Sequence, residues 1–444
     1  MKKIIVAGLL TALTAIGGLA QVKVAPLNIK ERTLPNGLTV VSLQDNSSPT
    51  VAIHLWYNVG SKNDPPHRNG FAHLFEHIMF KSTRNMKSEM MDRLTEDVGG
   101  YNNASTNDDF TNYFEVVPSN YLETLLWAEA ERMQNLTVDE ANFKSERAVV
   151  EEEFRQRVLA TSYGRLLQYV QQLSYTEHPY KRTTIGTIED LDTAMVEDVQ
   201  KFHQTFYRPD NAYLVVVGDL DQKQFDGWVD KYFQKIPKPS APIPQVTEKE
   251  PARTKEMRYE KTAPNVPLPA AAITYLGPRS DDPDMPALRI AEAILSSGES
   301  SRLYQSLVYK KQLAQEASFG IDDRADGGLL AFLAIAASGK TPADLEAAML
   351  EELKLMQDKG VTAQELEKAK NQLISEAVRS RETNDGKATA IERAIAYEHD
   401  PRAVNTTIQK LQAVTAADVS RVMKKYFADN NPVVIHYHQE AAGK

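Results

Sequence analysis

The 444-residue chain contains no cysteine. Disulfide bridges are therefore excluded, and so is attachment of a lipid to a cysteine near the N-terminus. Because no covalent bridge can stabilise the folded state, the protein must rely on burial of apolar side chains. The chain is long enough for two domains of roughly 200 residues, each with its own core.

Positive charge is in deficit. The formal net charge is −9, and without Lys2 and Lys3 it is −11, since 49 basic residues then face 60 acidic ones. An acidic chain of this kind disfavours nucleic acid as a partner, because binding to phosphates depends on clustered Lys and Arg. Basic or neutral peptides are more compatible with its electrostatic field.

Long apolar runs are also lacking, apart from one at the N-terminus. Residues 1–20 combine Lys2-Lys3, an apolar run from Ile4 to Ile16, and the small residues Gly18-Leu-Ala20. This pattern predicts a cleaved secretory signal peptide and hence a periplasmic protein. An uncleaved anchor is the alternative, although a membrane span needs about 20 apolar residues. We expect no stable membrane span after cleavage.

Proline is concentrated in one place. Eight of the 22 prolines lie in residues 237–269, which predicts an extended linker. The linker separates an N-terminal domain, residues 21–236, from a C-terminal domain, residues 270–444.

The two halves carry a faint repeat. Three positions recur at equal spacing: Leu191, Asp198 and Phe206 in the first half correspond to Leu411, Asp418 and Tyr426 in the second. A second echo joins Asn63-Asp-Pro65 to Asp281-Asp-Pro283. Either echo alone is compatible with chance, but two in the same order argue for a duplicated domain. Strand patterns at 38–43, 50–57, 101–114 and 213–217, with long helical patterns between them, favour an α+β fold of two homologous layered domains.

The densest cluster of metal-binding residue types is His73-Leu-Phe-Glu76-His77. On a helix, residues four apart lie on one face, so His73 and His77 can both bind one zinc ion at roughly 2.0–2.1 Å. Glu76 lies on the same face and can take a proton from a water molecule that attacks a carbonyl group. The spacing predicts metal-assisted amide hydrolysis. The alternative is two partly buried core histidines among apolar neighbours.

A zinc site needs a third protein ligand, and the segment after Thr137-Val-Asp-Glu140 offers one. That tetrapeptide resembles a capping box and predicts the start of a helix. Glu146 and Glu153, two turns apart, are expected to share a face with the apolar pair Val149-Val150, whereas the adjacent Glu151-Glu152 turn toward solvent. A carboxylate on an apolar face needs a partner that offsets its desolvation. We assign Glu153 to the metal, and Glu146 to a position behind it that fixes the tautomer of a liganding imidazole.

These motifs resemble those of a known family. His-x-x-Glu-His, followed 76 positions after His77 by the last residue of Glu-Arg-x-x-Val-x-x-Glu153, is similar to the inverzincins, the pitrilysin or M16 metallopeptidases. Segments 99–106 and 111–114 resemble the family's substrate-binding edge strand. Further landmarks are His178-Pro-Tyr, Ile185-Gly-Thr and Tyr207-Arg-Pro-Asp-Asn211. The resemblance covers nearly the whole mature chain, whose length is that of short two-domain members such as the mitochondrial processing peptidase subunits.

The resemblance implies a duplicated M16/LuxS-like metallohydrolase fold and a zinc-dependent endopeptidase that cleaves peptides or unfolded polypeptides inside an enclosed chamber. Substrate is expected to add as a strand beside Asn103 and Ala104. In the second half, the counterparts of the zinc motif are Ala291, Ile294 and Leu295, so that half is expected to have no metal site of its own.

One departure from the family pattern concerns partners. Related second halves place an arginine and a tyrosine after a Ser-Arg-Leu segment, where this chain has Val308 and Gln315. The resemblance therefore implies a heterodimer with a related, metal-free subunit that supplies both groups. If the loop aligns differently, Tyr309 or Lys310 could substitute. A non-catalytic scaffold subunit and a dedicated precursor-processing peptidase are the alternative functions.

The other histidines predict less. His436 and His438 lie two apart on a terminal strand and could chelate a metal, although one face of an edge strand is the simpler interpretation. His54 and His203 are expected to be packing residues.

Overall fold

The computed structural model describes residues 24–441. The expected signal peptide, residues 1–20, lies outside them. None of the helices in the described part of the chain combines the length and the apolar character needed to cross a membrane.

The first half contains a sheet in the order β1-β2-β6-β3-β5-β4. Its strands are β1 (Lys30–Thr33), β2 (Thr39–Gln44), β3 (Thr50–Tyr57), β4 (Tyr101–Thr106), β5 (Thr111–Pro118) and β6 (Ala212–Gly218). Its helices are α1 (Phe71–Ile78), α2 (Met90–Glu96), α3 (Leu122–Asn135), α4 (Glu140–Phe154), α5 (Gly164–Ser174), α6 (Ile188–Asp192), α7 (Val196–Phe206) and α8 (Gln222–Tyr232). The strands expected from sequence at 38–43, 50–57, 101–114 and 213–217 are all present.

The second half contains a sheet in the order β7-β11-β8-β10-β9. Its strands are β7 (Met257–Ala263), β8 (Ala270–Leu276), β9 (Ala314–Asp322), β10 (Leu329–Ala336) and β11 (Val433–Gln439). Its helices are α9 (Met285–Ser296), α10 (Pro342–Lys359), α11 (Ala363–Arg379), α12 (Asn384–Glu398), α13 (Thr407–Ala413) and α14 (Ala416–Lys425). Two π-helical turns, Arg155–Ala160 and Tyr304–Lys310, and short 3₁₀ segments complete the regular structure.

The two sheets share one arrangement of five strands, and the first sheet has β1 as an additional strand beside β2. Strands β2 and β6 pair in parallel, as do β7 and β11, and the three following pairs in each sheet are antiparallel. Element order therefore matches α1 with α9, α4 with α11 and α5 with α12. This correspondence supports the duplication inferred from the sequence, and the α+β class is confirmed.

Each half contributes one helix to the other half's core. Most helices of each half pack on one face of its own sheet. The opposite face of the first sheet, including Val215 and Val217, is covered by Ile391 and Ile395 of α12. In the same way, α5 packs through Leu166 on the second sheet. Strand β3 is buried over seven of its eight residues because helices cover both of its faces.

A buried ion pair accompanies this exchange, and it corrects the expectation for His54. The imidazole of His54 on β3 is 1% exposed and lies 3.1 Å from Asp385 Oδ1 and 3.0 Å from Glu392 Oε2, both on α12. Burial disfavours the imidazolium, but the two carboxylates outweigh it and raise the pKa of His54 to about 9. His54 is thus a charged link between the halves. His203, in contrast, stacks on Phe75 as a packing residue.

The linker is shorter than expected. Residues 237–256 contain no helix or strand, whereas 257–263 form β7 of the second sheet. The proline pattern set the boundary at 269 because three prolines also flank or follow β7. The extended part is fastened to the first half, since the Arg208 guanidinium donates hydrogen bonds to the carbonyls of Pro239, at 2.6 Å, and Ala241, at 2.7 Å.

Candidate metal and active site

Helix α1 begins at a position that only glycine fits well. Gly70 has φ +96°, and a Cβ there would lie 2.8 Å from the Ile185 carbonyl oxygen. Asp64 accepts hydrogen bonds from the backbone N–H groups of Gly70, at 2.7 Å, and Ala72, at 2.9 Å. These bonds satisfy donors that the first helical turn leaves unpaired. Burial raises the pKa of Asp64 to about 7. The next residue, His73, therefore projects from a well-anchored turn.

The structure brings His73, His77 and Glu153 together. Their ligand atoms all lie within 4.8 Å of one another. Glu153 Oε2 is 3.7 Å from His73 Nε2 and 3.3 Å from His77 Nε2. In a tetrahedral zinc site with ligands at 2.0–2.1 Å, neighbouring ligand atoms are about 3.3–3.4 Å apart. Two imidazoles and one carboxylate at these separations fit a zinc ion and leave a fourth position open.

The second carboxylate oxygen of Glu153 forms an ion pair with an arginine. Arg157 in the π-helical turn after α4 contacts Glu153 Oε1 at 2.7 Å. The hydrogen bond from His77, together with the charges of His73 and Arg157, holds the pKa of Glu153 below its ordinary value despite partial burial. Glu153 is therefore ionised, with Oε2 free to face the two imidazoles.

Glu146 lies on the far side of His77. Its Oε2 is 3.7 Å from His77 Nδ1, and its Oε1 pairs with Lys81 Nζ at 2.8 Å. Burial alone would raise the pKa of Glu146, but contacts with His77 and Lys81 outweigh it and lower the pKa. The position agrees with the predicted place behind a liganding imidazole. At 3.7 Å the contact is longer than a hydrogen bond, so control of the tautomer stays a prediction.

Two details of α4 differ from the sequence interpretation. The helix begins at Glu140 with Asp139 as its N-cap, whose side chain accepts from Asn142 N, and not with Thr137. Val149 is 47% exposed, whereas Val150 is fully buried. The reason is the rotation of 100° per residue, which places Phe143, Glu146 and Val150 on one buried face and Val149 to the side of it.

Glu76 is held by a hydrogen bond that the sequence did not reveal. The hydroxyl of Thr106, at the end of β4, donates to Glu76 Oε2. Burial raises the pKa of Glu76, and the hydrogen bond from Thr106 opposes that rise. Thr106 lies within the segment that resembles the family's edge strand, but hydrophobic periodicity carries no information on a contact 30 residues apart.

Asn103 and Ala104 lie on β4, which forms an edge of the first sheet. The Ala104 N–H donates to the side-chain oxygen of Asn103 at 2.8 Å. An edge strand offers unpaired backbone groups to a further strand. The side chain of Asn103 covers one of these donors and would have to move for Ala104 to pair with a peptide.

The second half differs at the corresponding positions. Ala291, Ile294 and Leu295 on α9, the counterparts of His73, Glu76 and His77, are buried core residues. Val308 is half-buried in the turn Tyr304–Lys310, and Gln315 is exposed where the register of β9 shifts against β10.

Comparisons with known proteins agree with this architecture. The model of the Insulinase (Peptidase family M16) domain matches residues 39–188, and that of the Peptidase M16 inactive domain matches residues 194–373. The zinc protease PqqE of Helicobacter pylori is 31% identical over 412 residues, which cover 91% of each chain. A probable mitochondrial-processing peptidase subunit beta of Arabidopsis thaliana is 25% identical, over 90% of this chain and 76% of that protein.

A comparison with a solved structure agrees with these sequence matches. The crystal structure of a protease from Helicobacter pylori superposes with a TM-score of 0.89 at 29% identity, over 93% of this chain and 100% of that one. Sequence similarity over nine-tenths of the chain and a shared two-domain fold lead to one conclusion: this chain belongs to the M16 family of peptidases.

Proposed function

We propose that the protein is a zinc-dependent endopeptidase whose catalytic centre is formed by residues of α1 and α4. The observation that carries the proposal is the convergence of His73, His77 and Glu153 around one point, with Glu76 on the same helix as both histidines. Relatives named as zinc proteases support it.

The chemistry divides between the ion and the side chains. A zinc ion held by His73, His77 and Glu153 would act as a Lewis acid that polarises a carbonyl oxygen and makes water a better nucleophile near pH 7. Glu76 accepts the proton of the attacking water and passes it to the leaving amine. Burial makes its carboxylate a stronger base than in solution, and Thr106 holds it in one orientation. Glu146 and Arg157 keep the liganding side chains in place.

The substrate class is a peptide or an unfolded polypeptide. Strand β4 ends at Thr106 beside Glu76, so a peptide that pairs with β4 near Asn103 and Ala104 would run past the proposed metal site. Main-chain pairing accepts many sequences but requires an extended chain. An enclosed chamber would exclude folded proteins.

The proposed working unit is a heterodimer with a related, metal-free subunit. The two halves of this chain share two cores through α5 and α12, and hence they cannot open like a hinged shell to admit substrate. Closure over the first half would therefore come from a second chain. Val308 and Gln315 stand where related second halves supply an arginine and a tyrosine to the substrate. One relative, the mitochondrial-processing peptidase subunit beta of Arabidopsis thaliana, is named as a subunit, which is consistent with such pairing.

The residues at 1–20 support a periplasmic location, since they resemble a cleaved signal peptide. A dedicated precursor-processing peptidase uses the same chemistry and differs only in its substrate. A non-catalytic scaffold is the competing class of function. It is disfavoured because all five residues at the site, His73, Glu76, His77, Glu146 and Glu153, are present and converge.

The decisive experiment is cleavage of an extended, quenched fluorescent peptide by the mature chain and by Glu76→Gln. We expect Glu76→Gln to bind zinc normally and to lose about 10²–10⁴-fold in turnover. A conservative exchange of the exposed Glu152 is the matched control. Equal turnover in wild type and Glu76→Gln would reject the proposal. So would the absence of peptide cleavage by the wild-type chain both alone and after a related subunit is added.

A further inference from the structure

A second cluster of metal-binding side chains lies on the other half of the molecule. Glu260 on β7 stands opposite His436 on β11, and His438 follows two residues later on the same face. Glu260 Oε1 is 3.2 Å from His436 Nδ1, and Glu260 Oε2 is 2.8 Å from His438 Nε2. The ligand atoms of all three residues lie within 4.8 Å of one another. Side chains from two neighbouring strands thus converge on one point.

The cluster also has the outer support that metal sites use. Glu346 on α10 lies 2.7 Å from His436 Nε2, the ring nitrogen that points away from Glu260. A carboxylate in this position retains the proton on Nε2 and leaves the lone pair of Nδ1 for a metal. Glu346 is itself fixed, because the Arg258 guanidinium donates to both of its oxygens at 2.9 and 2.6 Å. His436 is therefore oriented in advance, with its side chain only 12% exposed.

The charge balance favours a cation. Glu256, Glu260 and Glu346 bring three negative charges to this region, and Arg258, which contacts Glu256 and Glu346, brings one positive charge. With both imidazoles neutral, the net charge is −2, which one divalent ion offsets. The side chains of His438 and Glu260 are 38% and 69% exposed, so an ion has a path from solvent.

We propose that Glu260, His436 and His438 form a second, solvent-accessible site for a divalent transition metal. Two imidazoles and a carboxylate suit Zn²⁺, Ni²⁺ and Cu²⁺ and not Mg²⁺ or Ca²⁺, which prefer ligand sets made of oxygen. Because the site joins β7 to β11, the bound metal clamps the first strand after the linker onto the last strand of the sheet. It is independent of the proposed catalytic site and of any peptidase activity.

The test is equilibrium dialysis of the tag-free mature chain against buffered free Zn²⁺, with metal content measured by elemental analysis. We expect two equivalents at saturation, the second bound more weakly than the first. His438→Ala and Glu260→Gln should each remove only the second equivalent, and His77→Ala only the first. The matched control is Glu440→Gln, which alters an exposed carboxylate just beyond β11 and should leave both.

A further variant separates metal binding from a purely structural network of ion pairs. Glu346→Gln should weaken the second zinc by about 10–100-fold, as loss of an outer carboxylate does in other sites. Zinc should also raise the thermal midpoint of His77→Ala, and that shift should vanish when His438→Ala is added. One equivalent in wild type at saturating zinc, or a second equivalent that survives His438→Ala and Glu260→Gln, would overturn the proposal.

Discussion

The hydroxyl of Thr106, the last residue of strand β4, donates a hydrogen bond to Oε2 of Glu76 on helix α1. This contact connects the strand beside which we expect substrate to bind with the side chain that we expect to act as base. It also opposes the rise in the pKa of Glu76 that burial causes. Thr106 is thus a positioning residue for Glu76.

Thr106→Val should lower kcat without loss of zinc. A hydrogen bond to a charged group is worth about 1.5–3 kcal/mol, which corresponds to roughly a 10–100-fold change in rate. Since loss of the bond raises the pKa of Glu76, and Glu76 must be ionised to act, the acidic limb of the kcat/KM profile should move to higher pH. Thr106→Ser, which keeps the hydroxyl, should restore both properties. An unchanged pH profile in Thr106→Val would show that Glu76 is not the titrating base.

Glu153→Gln should lose the tightly bound zinc, because the amide oxygen is a weaker ligand than the carboxylate. His77→Ala should do the same. Glu152→Gln, which changes the exposed neighbour on α4, is the matched control and should retain the ion. Elemental analysis after dialysis against a zinc buffer that fills only the tight site provides the measurement. Equal zinc in Glu152→Gln and Glu153→Gln would exclude Glu153 as a ligand.

Ala104→Pro should raise KM for all peptides by a similar factor. Proline removes the backbone donor at Ala104, and an edge strand tolerates proline better than a central strand does. Ala104→Val adds bulk but keeps the N–H group and serves as the control. Steady-state kinetics with several unrelated peptides provides the test. A loss confined to a few sequences would indicate recognition of side chains instead of strand addition.

The buried imidazolium of His54 predicts a pH dependence of stability. Its pKa is about 9 in the folded state, above the unfolded value of about 6.5, so the folded state binds the proton more tightly. The stabilisation is fully present below about pH 6.5 and is lost as the pH rises through 9, by roughly 3 kcal/mol. The thermal midpoint of wild type should fall more steeply across this range than that of His54→Gln. Parallel curves would contradict the assignment.

Adding the related metal-free subunit should raise kcat by one to three orders of magnitude, because preorganised donors to a developing oxyanion have effects of this size. The isolated chain should bind zinc but cleave slowly. Val308→Arg with Gln315→Tyr should raise the activity of the isolated chain if two copies can pair. Full activity of the unaltered chain alone would favour a homodimer or a monomer.

Sequence reasoning succeeded where the pattern is local. Residues four apart on one helix, as in His73 and His77, must share a face, and the short apolar runs of β2 and β3 mark strands directly. The residues that follow Leu191 and Leu411 recur at equal spacing, and this repeat indicated a duplication that the two sheet topologies support. The match of Glu146 and Glu153 to a family motif placed a second helix beside α1.

It failed where a residue's environment is made by distant parts of the chain. His54 lies 331 positions from Asp385, and nothing near it in sequence indicates an ion pair. The hydroxyl of Thr106 reaches Glu76 only after β4 folds against α1. Residues 257–263 alternate as a strand, but the surrounding prolines suggested a linker instead. The strand of His436 and His438 was expected at a sheet edge, but β11 lies between β7 and β8, and Glu260 and Glu346 reach the histidines from β7 and α10.

The reciprocal placement of α5 and α12 bears on whether either half can stand alone. Equivalent helices cross over to complete each other's cores, which is the arrangement that a helix-swapped homodimer would have. Either half made separately would expose one apolar face of its sheet and would self-associate through that face. The two halves of this chain therefore depend on each other to bury both apolar faces.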